Sequence, residues 1–228
     1  MIGTGLIALF NEVNYDIMVH LTQPSNSLFP IFSVYGFTIP LNFFLGYCGA
    51  FTVMCYISYR IVKKFPTKKG LTYLWLGIVV ACLVLELPNL LTGIYVYHGE
   101  QMLRICGYPI YNLWMNATGW MLCGMLIAAF EPALKGWKRV LLSVLPCLGF
   151  AMAWGMCAIP IFSALNIQGL RLIVKYILMF VSFGLAILVS RTAINMLVVD
   201  SKTRWKIPWD LGFDEAKVIN NEEIKVQD

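Results

Sequence analysis

The chain has 228 residues, of which 59% are hydrophobic and only 13% are charged. Soluble domains carry about 25% charged residues, so this composition excludes a soluble domain and predicts a polytopic membrane protein. The formal net charge of +5 does not indicate a nucleic-acid partner, because the basic residues fall in short loops between apolar segments. The expected fold class is all-α, a bundle of about six transmembrane helices. The bundle would comprise residues 1–200, followed by a cytoplasmic polar tail at 201–228.

Five segments of the sequence are apolar and exceed the roughly 20 residues needed to cross a bilayer. They lie at residues 34–62, 71–97, 105–130, 138–162 and 170–198. A sixth segment at 2–22 is apolar up to Phe10 and polar afterwards, which leaves a spanning helix and an interfacial helix as alternatives. Basic loops at 60–69 and 131–139 alternate with loops that carry few charges. The positive-inside rule places these basic loops, and with six helices both termini, in the cytoplasm.

The most informative residue is Glu86, which stands in the sequence Leu-Glu-Leu-Pro-Asn at 85–89. A charged side chain inside a bilayer costs roughly 2.5 to 3.5 kcal/mol on insertion scales, so this acid is a candidate functional residue that faces the protein interior or a wet cavity. Pro88 removes a backbone donor at the same place. The alternative interpretation is structural, with Glu86 paired to Lys175 or Arg171.

Polar residues of several helices converge on the non-cytoplasmic half of the predicted bundle. Glu86 and Asn89 come late in a helix that starts in the cytoplasm. Asn112 and Asn116 come early in a helix that starts outside. These three asparagines would orient a substrate or hold the proton of an acid. For Asn112 and Asn116 the alternative is a structural role as hydrogen-bonding contacts between helices.

The N-terminal segment contributes Glu12 and Asp16, which share one helix face with His20. Two carboxyl groups this close in a low dielectric resist ionising together, so one of them would keep its proton. A protonated acid in an apolar pocket suits acid-catalysed chemistry on a hydrophobic substrate. We expect Glu86 to be the catalytic acid, with Asp16 and Glu12 as second choices.

Aromatic side chains complete the expected pocket. Tyr95, Tyr108 and Trp154 would shape it and shield a developing cation. Two histidines and seven cysteines without a CxxC pair predict neither a metal site nor a cofactor. The cysteines are expected to act as small buried hydrophobic residues. The stretch from Gly119 to Gly124 predicts a small-residue face for helix packing.

Part of the chain resembles a known family. The residues that carry the resemblance are YVYHGEQMLRICGYPI at 95–110, Asn112, Asn116, EPALKGWKR at 131–139, and AIPI and ALN within 158–166. In order and spacing these motifs resemble the spirocyclase AveC-like family of polytopic membrane proteins. The resemblance implies cyclisation or dehydration of a biosynthetic intermediate, as in spiroketal formation on a polyketide.

A second resemblance is to the small integral-membrane terpene cyclases of meroterpenoid pathways, which have a similar length and acidic residues within their helices. Those enzymes protonate an epoxide or an alkene and guide the carbocation. Both resemblances imply an isomerase or lyase of secondary metabolism whose partners are a lipophilic small-molecule substrate and the lipid bilayer. The expected location is the plasma membrane of a bacterium or the endoplasmic reticulum of a eukaryote. The alternative function is a non-catalytic small transporter or scaffold subunit.

Overall fold

The computed structural model describes residues 2–23 and 29–197, so the predicted tail at 201–228 lies outside the described residues. The helices are α1 (Ile2–Met18), α2 (Leu41–Gly46), α3 (Thr52–Lys64), α4 (Lys68–Leu91), α5 (Tyr111–Phe130), α6 (Leu145–Cys157), α7 (Ile159–Asn166) and α8 (Leu172–Leu197). Three antiparallel strand pairs join β1 (Leu21–Thr22) to β4 (Val96–Tyr97), β2 (Pro30–Val34) to β3 (Phe37–Pro40), and β5 (Arg104–Ile105) to β6 (Tyr108–Pro109).

Among the described residues, five helical stretches are long and apolar enough to cross a membrane. They are Leu41–Lys64, Lys68–Leu91, Tyr111–Ala133, Gly136–Cys157 and Leu172–Leu197. This agrees with the predicted helical bundle and indicates an integral membrane protein. The 17 residues of α1 are not among the five stretches.

Helix α1 nevertheless lies along the bundle, beside α6 and α7. The Cys147 thiol donates a hydrogen bond to the Thr4 carbonyl at 3.2 Å, near the start of α1. The Asn166 side-chain amide donates to the Met18 carbonyl at 2.9 Å, at the end of α1. The helix therefore extends from α6 to the last residue of α7.

The structure corrects four of the predicted segment boundaries. The segment at 138–162 is divided, because α6 ends at Cys157 and α7 begins at Ile159. The segments at 34–62, 71–97 and 105–130 each extend too far at the end opposite the basic loops. The helices begin or end instead at Leu41, Leu91 and Tyr111. The excess residues form apolar strands and turns, which hydropathy does not distinguish from helix over such short runs.

Helix α5 occupies the centre of the bundle. In its span, 67% of the most apolar stretch is buried, against 17% in the spans that contain α3, α4 and α8. The surfaces of α4 and α8 that face away from the bundle expose large apolar side chains such as Val84 and Phe180. Such surfaces suit contact with lipid.

Glycines bring the central helix close to its neighbours. A methyl group on Gly124 would lie 2.6 Å from the carbonyl carbon of Ser58 on α3. A methyl group on Gly149 of α6 would lie 2.8 Å from the backbone nitrogen of Cys123 on α5. The predicted small-residue face from Gly119 to Gly124 therefore does pack against neighbouring helices.

Candidate functional site

A cavity of about 370 Å³ lies between the helix ends opposite the basic loops, which we call the outer end. It is lined by α1, by residues 42–51, by the end of α4, by the first half of α5 and by α6. Pockets for small molecules typically measure about 300–1,000 Å³. The cavity is therefore large enough for a small organic ligand.

All three predicted acids line this cavity. Glu12, Asp16 and Glu86 lie close enough for each carboxyl group to act electrostatically on another. Asp16 is 2% exposed, and its Oδ2 has no hydrogen-bond partner among the described residues. No lysine or arginine is found among the described residues that line the cavity. Three neighbouring carboxyl groups resist ionising together where the described lining residues include no lysine or arginine.

The three predicted asparagines also line the cavity. Asn112 donates a hydrogen bond to the Tyr97 hydroxyl, while its own Oδ1 has no partner among the described residues. Asn89 donates to the Leu85 carbonyl at 3.0 Å. Burial raises the pKa of Tyr97 well above its usual range, so the phenol stays protonated. The Asn112 Oδ1 atom, which has no partner among the described residues, is available to accept a hydrogen bond from a ligand.

The predicted aromatic residues divide into two groups. Tyr95 and Trp154 line the cavity, but Tyr108 does not. The ring centroid of Tyr108 lies 6.1 Å from that of Tyr97, which lines the cavity. Tyr108 belongs to strand β6, before α5 begins, and lies close enough to the lining residue Glu86 to interact with it electrostatically. Tyr108 is therefore adjacent to the cavity, and its role in shaping the pocket stays a prediction.

Several aromatic residues of the cavity wall were not predicted from the sequence. Tyr15 stacks on Trp154 with ring centroids 5.1 Å apart. Tyr47 lies beside the Glu12 carboxyl, within a π-helical turn at Tyr47–Phe51. Tyr15 directly precedes the predicted site residue Asp16 in the sequence, and this position is a signal from which its place in the cavity wall could be predicted. No sequence signal marks the π-helical turn, a rare conformation that is frequently found at functional sites.

Exposed lining residues on two spans indicate that the cavity opens at the side of the bundle. Asn42, Gly46 and Ala50 line it from one side and Leu85 from the other, and all four are exposed at the surface. Leu41–Lys64 and Lys68–Leu91 are both candidate membrane spans. The opening between residues 42–50 and the end of α4 therefore lies on a surface that suits contact with lipid.

Glu86 is not held by the cation that the structural alternative requires. Lys175 instead forms an ion pair with Glu100, with Nζ and Oε2 2.7 Å apart. This hydrogen bond lowers the pKa of Glu100. Glu86 forms no ion pair with any of the described residues. The predicted pairing of Glu86 with Lys175 or Arg171 is therefore wrong for this structure.

Polar contacts close the outer end above the cavity. His20 Nε2 lies 3.0 Å from the Asn166 Oδ1, and the His98 ring contacts the Thr22 hydroxyl. Gln101 donates from its side chain to the Val19 carbonyl at 2.8 Å. These contacts join the end of α1 to the loop after α4 and to α7, and they fix one side of the cavity.

In the described part of the chain, no group of three or more His, Cys, Asp or Glu side chains is placed to hold a metal ion. No protein-family model matches the sequence, and no curated protein or solved structure is detectably similar to it. The resemblance to the spirocyclase AveC-like family therefore stays a prediction. Four residues of its motifs, Tyr95, Tyr97, Asn112 and Asn116, line the cavity.

Proposed function

We propose that the protein is an integral-membrane enzyme that catalyses acid-initiated cyclisation of a lipophilic biosynthetic intermediate, with Glu86 as proton donor. The observation that supports this proposal is the group of three carboxyls on one aromatic-lined cavity, whose described lining residues include no lysine or arginine. Burial in such surroundings disfavours a carboxylate and favours the neutral acid. A neutral acid is the form that can donate a proton.

The proposed reaction begins when Glu86 transfers its proton to an oxygen or an alkene carbon of the substrate. The resulting cation is captured by a hydroxyl group or a double bond of the same molecule, which closes the ring. A proton then returns to the Glu86 carboxylate, directly or through Asp16 and Glu12. The product is an isomer of the substrate, or has lost one water if the protonated group was a hydroxyl.

The aromatic wall suits a cationic intermediate. Tyr15, Trp120, Phe150 and Trp154 all line the cavity. The face of an aromatic ring attracts a cation within about 6 Å of its centroid. The same apolar side chains exclude water, which would otherwise capture the cation before the ring closes.

The side opening supplies a route for the substrate. It lies between two apolar spans, so a lipophilic molecule dissolved in the bilayer reaches the acids without crossing an aqueous phase. The free Asn112 carbonyl oxygen would orient a hydroxyl group of this molecule.

The test is Glu86→Gln, which keeps the shape and hydrogen bonding of the side chain but cannot donate a proton. General acid catalysis contributes typically 10²–10⁴-fold, and we expect product formation to fall by about that factor. Metabolites of cells that express the wild type or the variant are compared by mass spectrometry, and thermal unfolding of both proteins is measured in one detergent. Glu100→Gln is the matched control, because Glu100 lies outside the cavity.

Three results would contradict the proposal. Wild-type product levels with Glu86→Gln would exclude the proton-donor role. Loss of folding in Glu86→Gln would assign that residue a structural role. A change in where a metabolite accumulates, without any change in its structure, would instead support a transporter.

A further inference from the structure

A second cavity lies at the opposite, basic end of the bundle. Its volume is about 390 Å³, and it lies between the start of α4 and the end of α8. Its polar lining residues are Lys68, Thr72, Ser190, Arg191 and Asn195. None of them belongs to the site at the outer end. We call this second cavity the basic-end groove.

The groove brings together two cations from different helices. Lys68 lies at the start of α4, and Arg191 lies near the end of α8. Both side chains are exposed, and neither forms an ion pair with a described residue. The Asn195 amide is a further polar group in the lining. Two unpaired cations with a neighbouring amide suit an anionic group that accepts several hydrogen bonds, such as a phosphate.

The remaining wall of the groove is apolar. Trp75, Leu76 and Ile187 line it, and Leu76 and Ile187 are 48% and 44% exposed. The Trp75 indole donates to the Thr118 hydroxyl at 3.0 Å, which fixes its ring against α5. Beyond the groove, exposed apolar side chains such as Val80 continue along α4 toward the middle of the span.

We propose that the basic-end groove binds an anionic phospholipid from the leaflet at this end of the bundle. Its phosphate would lie between Lys68 and Arg191, and an acyl chain would follow Leu76 and Ile187. The positive-inside rule assigns this end to the cytoplasmic side, where anionic lipids attract basic residues near the membrane surface. The site is independent of the proposed cyclase activity.

The experiment is a native mass-spectrometry titration of the full-length protein. Phosphatidylglycerol and phosphatidylcholine with the same acyl chains are compared on the wild type and on Lys68→Gln/Arg191→Gln. Direct charge-assisted hydrogen bonds to a phosphate each contribute about tenfold or more to binding, so the double variant should bind phosphatidylglycerol about 100-fold more weakly. Lys64→Gln/Lys135→Gln is the matched control, because it removes the same charge from the same end outside the groove. This control should bind like the wild type.

Several results would overturn the proposal. Equal binding of both lipids by the wild type would exclude recognition of the anionic headgroup. An equal loss in the control variant would assign the effect to the overall charge of this end. Displacement of the lipid by low concentrations of glycerol phosphate would identify a site for a soluble phosphate. If the double variant does not fold, the single variants Lys68→Gln and Arg191→Gln are measured instead. Unchanged phosphatidylglycerol binding in both single variants would overturn the proposal.

Discussion

The two ends of the same helices are built differently. At the basic end, Gly124 and Gly149 place α5 in close backbone contact with α3 and α6. At the outer end, large aromatic side chains such as Trp120 and Trp154 stand between the helices and border a cavity. At the basic end α5 is therefore in direct backbone contact with α3 and α6, while at the outer end a cavity lies between the helices.

Close backbone contact leaves no room for a ligand between α5 and its neighbours α3 and α6. Buried side-chain oxygens without a partner among the described residues occur at both ends, on Thr4 and Ser58 at the basic end and on Asp16 and Asn112 at the outer end. Of these four residues, Asp16 and Asn112 line the outer-end cavity. A buried polar atom without a partner destabilises a fold, and its presence is consistent with binding of a ligand.

The largest predicted loss of stability follows from filling a backbone contact at the basic end. Gly124→Ala places a methyl group 2.6 Å from the Ser58 carbonyl carbon. Overpacking of this kind costs about 1–3 kcal/mol of the free energy of unfolding. Gly77→Ala is the control, because no atom of the described residues lies within 4 Å of the added methyl group. Thermal unfolding in detergent should show destabilisation only for Gly124→Ala, and equal stability of the two variants would refute the close contact.

Blocking the side opening should change function rather than stability. Ala50→Phe places an aromatic ring where Ala50 lines the cavity and is exposed at the surface. We expect product formation to fall while the free energy of unfolding stays within about 0.5 kcal/mol of the wild type, as for most surface substitutions. Val80→Phe is the control, since Val80 is exposed on α4 away from the cavity. Normal product formation by Ala50→Phe would show that the substrate does not enter here.

The smallest effect is expected from the ion pair outside the cavity. Lys175 lowers the pKa of Glu100 below its usual value of 4.5, so the pair stabilises the fold above that pH and loses its effect as the pH falls. The Glu100 side chain is 74% exposed, and exposed pairs contribute little. Glu100→Gln should therefore leave thermal unfolding near pH 7 almost unchanged. A large loss of stability would mean that this contact holds the outer end together.

Much of the site could be located from the sequence because depth in a membrane follows from topology. Basic loops orient the spans, and a constant rise per residue then places Glu86 and Asn112 at one level. The structure places both residues, together with Glu12 and Asp16, on one cavity, as this reasoning predicts. Their catalytic roles stay predictions.

The rest of the site depends on contacts that a linear pattern does not contain. Tyr47 approaches Glu12 from a different helix, through a turn whose π-helical geometry has no sequence signal. Tyr108 lies beside the cavity in strand β6, which hydropathy does not distinguish from the start of the predicted helix at 105–130. The pairing of Lys175 with Glu100 rather than Glu86 is set by the loop after α4, whose path hydropathy does not predict.

The central claim is that a protonated carboxyl group in the outer-end cavity is accessible to lipophilic molecules. A hydrophobic carbodiimide tests this claim without knowledge of the substrate, because it enters bilayers and modifies protonated carboxyl groups. Peptide mass spectrometry after labelling should find the adduct on Glu86 in the wild type, and Ala50→Phe should label more slowly. Glu100 and Glu131, each paired with a lysine, should stay unmodified. An unmodified Glu86, or labelling no greater than that of Glu100, would contradict the account.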